Sequence, residues 1–421
     1  MQRIIQTFCF VIAIVLATAC VAPATPATSA PPADSASTDA TTNATTGDTA
    51  GAPDHNLIEG CIEHFDESID YFPEKVELTY TDGFAVDYHN SYKVITIATP
   101  WPGAESALEY VLVQCGAPAP TGYDETQLIE VPIQSIATMS TSYLPFLDRL
   151  GVIDRLVAVD DATYVNNPTV VEKANAGDIA QIGYGAGINV EQLIELSPDI
   201  VMTYGSGSPD YDAHPVLLNA GLHAVVNAEW LESSPLGRAE WGKFIALFFN
   251  KEAEAQTQFA ETAQRYEELA AQATAVQDKP TVLTDSEYQG SWYVAGGKSF
   301  TAQFLADAGA DYLWQDDEST GSVGLSFEAV YDVAADADYW VNIGFINSRA
   351  ELEAADARYA DFAAFQNDAL WNNNKKQNAN GGNDYYESAV AQPEVVLADL
   401  ISIFHPELLP DHETVYYHQL Q

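Results

Sequence analysis

Two segments of this chain carry the same pattern, residues 188–205 (INVEQLIELSPDIVMTYG) and residues 325–344 (LSFEAVYDVAADADYWVNIG). In each segment a small polar residue and an apolar residue precede a Glu, and a short helical run follows. A Pro-Asp or Ala-Asp step then leads into an apolar stretch typical of a strand. This repetition constrains the fold more than any other feature, because it predicts two similar halves.

Short apolar strands alternate with helical runs around both copies, which is typical of parallel α/β layers. The predicted strands lie at residues 132–139, 155–160, 199–205, 222–228, 280–288, 292–297 and 338–344. Between the halves, residues 237–277 lack Pro and have no Gly after Gly242, so they predict one long helix. The predicted fold class is α/β, with two similar parallel-sheet lobes at residues 130–236 and 278–421 joined by that helix.

The first 20 residues, MQRIIQTFCFVIAIVLATAC, predict an exported protein. One Arg precedes a short apolar run and small residues, which is typical of a signal peptide rather than a membrane span. The end of the run resembles a bacterial lipoprotein signal, in which Cys20 becomes lipidated; ordinary cleavage after Ala19 or later is the alternative. Residues 21–56 are rich in Ala, Thr, Ser and Pro and predict a flexible tether. We therefore expect a protein anchored by lipid to the outer face of the cell membrane.

Residues 57–129, here called the extension, alternate apolar and polar residues and predict a β-rich segment before the first lobe. The extension contains Cys61 and Cys115, the cysteines that remain once Cys9 leaves with the signal and Cys20 is lipidated. An oxidising compartment favours a disulfide between them, although two free buried thiols are the alternative.

The 421-residue chain has 16 Lys and Arg against 61 Asp and Glu, which gives a formal net charge of −45. Phosphate groups would be repelled, so this charge argues against nucleic-acid binding. The acidic residues are spread along the chain, which indicates a solvated surface rather than a site.

The order of motifs resembles the helical-backbone class (class III) of ABC-transporter substrate-binding proteins over about residues 130–405. The resemblance is carried by Asn189-Val190-Glu191 before Ser197-Pro198-Asp199, by its second copy, and by YVAGGKSFTAQFLADAG at residues 293–309. It implies a monomer that captures a ferric siderophore, cobalamin or haem between its lobes. It also implies an ABC permease dimer with its ATPase as partner, no catalysis and no resident cofactor. The extension lies outside the usual pattern.

Glu191 and Glu328 occupy equivalent places in the two copies. Asn189 and Ser326 are good helix N-caps, so both glutamates fall in a first helical turn. Each carboxylate could simply favour the positive end of its helix dipole, worth roughly 0.3–1 kcal/mol. The resemblance implies a further role, in which each glutamate pairs with an Arg of the permease and orients docking.

The ligand is expected between the lobes at the carboxyl ends of the strands, where α/β proteins bind ligands. That geometry selects polar and aromatic residues in the loops after strands: Thr163, Tyr164, Tyr184, Tyr204, Tyr288, Trp292, Arg349, Asn380, Asp384 and Tyr385. Tyr211, Tyr293 and Phe345 lie in the same predicted loops. Tyr and Trp offer a large flat surface with a polar end, which suits a bulky metal chelate or corrinoid, although packing alone would explain any one of them.

The scarcity of cations in these loops favours a near-neutral ligand, such as a ferric hydroxamate, a mixed siderophore complex or cobalamin. Arg349 and Lys298 are the plausible cations, and Arg238 is expected to be structural.

Other chemistries fit the sequence less well. No His lies between residues 224 and 404, so a His-rich metal site shared by the lobes is not expected. YGSGSPD superficially matches the Gly-x-Ser-x-Gly elbow of hydrolases, but Pro209 follows in a turn-like run instead of a helix. A ligand-sensing lipoprotein without a transporter is the alternative function, although a sensor has no need of both glutamates.

Overall fold

The structure, a computed structural model, describes residues 52–421. The predicted signal peptide, Cys20 and most of the tether lie outside this range. Within it, none of the helices combines the length and apolar character needed to cross a membrane. The tether predicted at residues 21–56 includes a residue that belongs to the folded part. The Asn56 side chain is buried and hydrogen-bonds Glu74 and Glu252.

The first lobe is built on a five-stranded parallel sheet in the order β7-β6-β5-β8-β9. Its strands are β5 (Ile136–Thr138), β6 (Leu156–Val159), β7 (Ala180–Gln181), β8 (Ile200–Thr203) and β9 (Ala224–Val226). Its helices are α1 (Leu144–Arg149), α2 (Pro168–Ala176), α3 (Val190–Leu196) and α4 (His214–Asn219). The alternation of strand and helix confirms the predicted parallel α/β lobe.

The second lobe repeats this plan in a sheet of order β13-β10-β15-β16-β17, in which only β17 is antiparallel to its neighbour. The strands are β10 (Thr281–Thr284), β13 (Asp311–Tyr312), β15 (Tyr339–Val341), β16 (Leu370–Asn372) and β17 (His418–Gln419). A small antiparallel sheet contains β11 (Glu287–Tyr288), β12 (Ser291–Ala295) and β14 (Ser322–Leu325). The helices are α8 (Phe300–Asp307), α9 (Phe327–Ala334), α10 (Arg349–Ala355), α11 (Ala363–Gln366) and α12 (Pro393–Phe404).

The repeated Asp of the two segments has a structural role. The carboxylate of Asp199, before β8, accepts hydrogen bonds from the backbone N–H groups of Gln134 and Ser135, before β5. Asp338, before β15, accepts in the same way from the backbone and the hydroxyl of Thr281, which begins β10. Each Asp therefore fixes its strand beside a paired neighbour, β8 beside β5 and β15 beside β10.

The connection between the lobes differs from the predicted single helix at residues 237–277. It contains α5 (Pro235–Glu240), α6 (Gly242–Leu247) and α7 (Glu252–Thr274). The interruption lies at Asn250, whose φ of 56° leaves the helical region. Its side-chain amide donates to the carbonyl of Leu57 and to the Gln114 side chain, so contacts with the extension turn the backbone.

The extension forms its own four-stranded sheet and shares a continuous core with the first lobe. The strands are β1 (Ala85–Tyr88), β2 (Tyr92–Ile97), β3 (Leu108–Gln114) and β4 (Leu128–Val131). Phe84 packs on Trp241 and Phe244 of the connecting helices, with ring centroids 4.9 and 5.3 Å apart. A disulfide joins Cys61 to Cys115. The extension is thus an integral part of the first lobe.

A fully buried ion pair fastens the extension to the start of α7. The Lys93 ammonium of β2 lies 2.7 Å from Glu252 and also donates to the side chain of Asn250 and the carbonyl of Leu247. Asn56 donates to the second oxygen of Glu252. Burial lowers the pKa of Lys93, which Glu252 opposes, so the pair depends on this complete set of partners.

We predict that Glu252→Gln will lower the free energy of unfolding by about 3–5 kcal/mol, because the Lys93 ammonium is left buried without a countercharge. Urea denaturation of the purified protein measures the loss.

The matched control is Asp70→Asn, which removes the partner of Lys75 in an exposed pair and should cost no more than about 1 kcal/mol. Equal losses in the two variants would contradict a special role for the buried pair.

Candidate functional site

The lobes meet through loops at the carboxyl ends of their sheets. The Asn378 side-chain amide, in the loop after β16, donates to the carbonyls of Thr163 and Val165, in the loop after β6. Glu387 accepts from the backbone N–H groups of Asn166 and Asn167 at 2.7 Å each. Because these loops follow strands of different lobes, the carboxyl ends of both sheets border one region between the lobes, here called the cleft.

Exposed aromatic side chains concentrate at these sheet ends. Of the nine strongly exposed aromatic residues in the part of the chain described, all but Phe65 lie in segments that follow strands of the two lobes. The eight are Tyr164, Tyr184, Tyr211, Trp230, Tyr288, Tyr293, Phe345 and Tyr386. Phe345 is 84% exposed and Tyr184 is 67% exposed, which is costly for side chains of this size unless something covers them.

Trp292 does not line the cleft, contrary to the sequence-based expectation. It is fully buried in the second lobe, stacks on Trp340 with a centroid distance of 5.3 Å, and donates its indole N–H to the carbonyl of Thr284. Successive side chains of a strand point to opposite faces, so the inward position of Trp292 leaves Tyr293 exposed.

Arg349 and Tyr385 also lie elsewhere than the sequence predicts. Arg349 pairs with Asp368, which precedes β16, and lies over the ring of Phe365, so it sits at the amino end of the sheet, away from the cleft. Tyr385 is buried among Tyr416 and Tyr417, and it is its neighbour Tyr386 that is exposed.

The remaining predicted ligand residues lie in the expected loops. Tyr164, Tyr184 and Tyr288 are exposed, and Tyr204 is half-buried. Thr163 and Asn380 are exposed but face each other across the lobes, where the Asn380 amide lies 3.4 Å from the Thr163 carbonyl. Asp384 is mostly buried and lies 3.6 Å from Lys376.

Sequence reasoning missed a pair of acids at equivalent strand ends. Asp160 directly follows β6 and Asp285 directly follows β10. Burial raises the pKa of both carboxyl groups to about 6. Partial burial raises the pKa of Tyr204 and of Tyr386, and the nearby carboxylates of Asp160 and Asp285, respectively, add to the rise. The equivalence of the two strand ends was the signal that could have revealed them.

Arg238, in α5, is a cation that contacts both lobes. Its guanidinium pairs with Glu229 of the first lobe and lies 5.1 Å from the ring centroid of Phe300 of the second. The structural role expected for Arg238 is therefore a bridge between lobes. The negative charge of Glu229 largely offsets the positive charge that Arg238 brings to the cleft.

A model of the family described as "Periplasmic binding protein" matches residues 136–372, more than half of the chain.

The chain belongs to the periplasmic binding protein family.

Two solved structures show how far the fold of this periplasmic binding protein is shared. A periplasmic heme binding protein from Pseudomonas aeruginosa has a TM-score of 0.51 and 21% identity, with 69% of this chain and 98% of that one covered. A possible iron-binding (periplasmic solute-binding) protein from Staphylococcus epidermidis has a TM-score of 0.51 and 18% identity, with 65% and 98% covered. The predicted helical-backbone class is confirmed, and its members bind solutes for ABC transporters rather than catalyse reactions.

Two relatives by sequence are uncharacterized lipoproteins of Methanocaldococcus jannaschii. One is 27% identical over 247 residues, which cover 57% of this periplasmic binding protein and only 56% of the relative. The other is 24% identical over 329 residues, covering 74% and 80% of the two chains.

The two glutamates predicted to dock a permease are both exposed in the first turn of their helices. The predicted N-caps are confirmed: Asn189 accepts from the backbone N–H of Gln192, and Ser326 accepts from that of Ala329. The surroundings of the glutamates differ, because Glu328 lies 3.4 Å from Arg358, which also pairs with Asp356. An incoming arginine would therefore compete with Arg358 for Glu328.

Within residues 52–421, one group of possible metal-ligating side chains comes together, formed by Cys61, Cys115 and Glu130. Both cysteines are joined in the disulfide, so their sulfurs are not thiolate ligands.

We predict that Asp160→Asn and Asp285→Asn will stabilise the protein at neutral pH. Since the folded-state pKa values are raised, the carboxyl groups contribute stability below the unfolded pKa of about 3.9, and that contribution is lost as the pH rises through about 6. The gain from each substitution should therefore be larger at about pH 7.5 than at about pH 5.

Thermal unfolding at the two pH values measures this gain. Asp336→Asn, an exposed acid between α9 and β15, is the control and should change the melting temperature little at either pH. A gain that did not depend on pH would contradict the assignment.

Proposed function

We propose that this protein captures a ferric siderophore of low net charge between its lobes and delivers it to an ABC permease. The observation that carries the proposal is the set of eight exposed aromatic residues at the strand ends of both lobes. A bulky ligand that filled the cleft would remove these rings from water, which favours its binding. The chelate is cargo rather than a resident cofactor, and we infer that the protein acts as a monomer.

The charge of the cleft supports a near-neutral chelate over an anionic tri-catecholate complex. Arg238 is paired with Glu229, and Lys376 lies 3.6 Å from Asp384. Asp160 and Asp285 add carboxyl groups with a pKa of about 6, which carry negative charge at neutral pH. Ligand oxygens that keep a high negative charge would meet repulsion here.

Haem is the second candidate, and cobalamin the third. One of the similar folds is a heme binding protein, and exposed tyrosine rings would also pack well on a flat macrocycle. The similar fold of the possible iron-binding protein from Staphylococcus epidermidis agrees with a cargo that contains iron.

We further propose that Cys20 carries the lipid anchor, in agreement with the relatives described as lipoproteins. Glu191 and Glu328 would then dock the loaded protein on the permease, each by an ion pair to an arginine. A ligand sensor of the same fold would bind its ligand equally well but would not need both glutamates.

Ligand binding is tested by titrating the full chain with ferrioxamine B, ferric enterobactin, haemin and cobalamin. Trp230 is exposed in the segment that follows β9 and should report binding by quenching. We expect saturable quenching by ferrioxamine B with a Kd of about 1 μM or lower, equivalent to about −8 kcal/mol, and none by ferric enterobactin.

Calorimetric titration of the unaltered protein with the same ligands is the control, because it measures binding without relying on tryptophan emission. Tight binding of ferric enterobactin alone would contradict the low-charge proposal. Binding of haemin alone would make haem the cargo.

Delivery is tested with the double variant Glu191→Ala/Glu328→Ala. Because both carboxylates are exposed and lie on helices outside the cleft loops, ligand affinity should stay within about twofold. Uptake of the radiolabelled ferric chelate by cells that contain the partner transporter should fall at least about tenfold, since charge pairs control docking.

The matched control is Glu195→Ala/Asp332→Ala, which removes exposed acids from the same two helices, α3 and α9. An equal loss of uptake in both double variants would point to general surface charge. Normal uptake by the Glu191→Ala/Glu328→Ala variant would contradict the proposed docking role of the two glutamates.

A further inference from the structure

The loop between β2 and β3 of the extension reaches the end of β8. The residues between β2 and β3 place Trp101 against His214, the first residue of α4, with ring centroids 4.9 Å apart and planes at 28°. His214 is buried, and its Nδ1 has no hydrogen-bond partner, so packing on Trp101 contributes to holding its ring. The stack lies at the carboxyl end of β8, where the cleft begins.

The Trp101 ring also covers the backbone of the cleft loop at residues 204–212. A Cβ atom on Gly205 would lie 2.5 Å from Cε3 of Trp101, and one on Gly207 would lie 3.0 Å from Cδ1. The carbonyls of Pro100 and Pro102 approach the same glycines. Only residues without a side chain allow this contact, and Gly207 also has a φ of +77°.

The covered loop carries two of the cleft tyrosines, Tyr204 and Tyr211. Inside the loop, Asp212 accepts hydrogen bonds from the backbone and hydroxyl of Ser206 and from the backbone of Gly207. The loop is therefore a compact unit that the Trp101 ring can hold from one side.

Contacts continue from this loop to the one that carries Tyr184. The backbone N–H of Ala186 donates to the carbonyl of Asp210, and Gly185 lies against the backbone of Tyr211. The chain of contacts thus runs from the extension through the 204–212 loop to a third cleft tyrosine, Tyr184.

The extension is itself fixed to the first lobe and to α7. Its Tyr110 hydroxyl accepts from the backbone N–H of Val226 in β9 at 2.8 Å, beside β8. The buried Lys93–Glu252 pair fixes it to α7. The loop that carries Trp101 is therefore attached to rigid elements of the fold, as a precise ligand site requires.

We propose that the extension is part of the ligand site, in which Trp101 is a positioning residue that holds the loops carrying Tyr184, Tyr204 and Tyr211. Trp101 lies outside the family segment at residues 136–372. The effect on ligand affinity rests on the proposed function, whereas the effect on the loops does not.

The test of the loops is hydrogen–deuterium exchange of the full chain without ligand. Trp101→Ala should speed exchange in peptides covering residues 183–187 and 204–212 and leave residues 285–297 of the second lobe unchanged. Trp101→Phe, which keeps part of the stack and is the variant to use if the alanine variant fails to fold, should give a smaller change in the same peptides.

The control is Tyr92→Ala, which removes a different aromatic stack, on His89, within the same extension. It should leave both cleft loops unchanged. Unchanged exchange at residues 183–187 and 204–212 in the Trp101 variants would overturn the proposal, as would faster exchange spread over the whole chain.

The test of the ligand role uses ferrioxamine B as the probe. Trp101→Ala should weaken its binding by about tenfold, mainly through faster dissociation. If Trp101→Ala speeds exchange in the loops but leaves the affinity for ferrioxamine B unchanged, the role of Trp101 in binding is wrong. If ferrioxamine B fails to bind the unaltered protein, the proposed hydroxamate cargo is wrong, and the exchange experiment still decides whether Trp101 holds the loops.

Discussion

The buried charge cluster at the start of α7 is the interaction on which the other parts depend. Lys93 of the extension, Glu252 of α7 and Asn250 between the helices are buried from water. They bind one another and the neighbouring polar groups of Leu247, Asn56, Leu57 and Gln114. Breaking one contact leaves a buried charge or amide unsatisfied, which costs more than the contact itself contributes. The cluster therefore fixes the extension, the first lobe and the connecting helix in one arrangement.

In that arrangement the two lobes are joined at two places, along α7 and at the strand ends. α7 packs on α6 at its beginning and on α12 of the second lobe further along, so the lobes are joined by a stiff element and not by flexible strands. The hydrogen bonds of Asn378 and Glu387 join the lobes again at the strand ends. We expect closure around a ligand to be small, since both connections limit hinge motion.

The chemistry of the cleft comes from a contrast between exposed rings and paired charges. Eight aromatic side chains face solvent at the strand ends, while Arg238 is neutralised by Glu229. A surface of this kind recognises the shape and apolar area of a ligand more than its charge. The strongly acidic composition of the chain is compatible with this reading, because it adds no cation to the site.

The sequence by itself determined the two lobes, the caps at Asn189 and Ser326 and the loops that hold the tyrosines, because these follow from local periodicity and local hydrogen bonds. Only the tertiary structure decided which aromatic residue of a pair such as Trp292 and Tyr293 faces the cleft, since alternation does not say which face of a strand meets the core. It also paired Arg349 with Asp368 and broke the connecting helix at Asn250. These outcomes, like the reach of Trp101 into the cleft, depend on contacts between residues far apart in the chain, which no local pattern encodes.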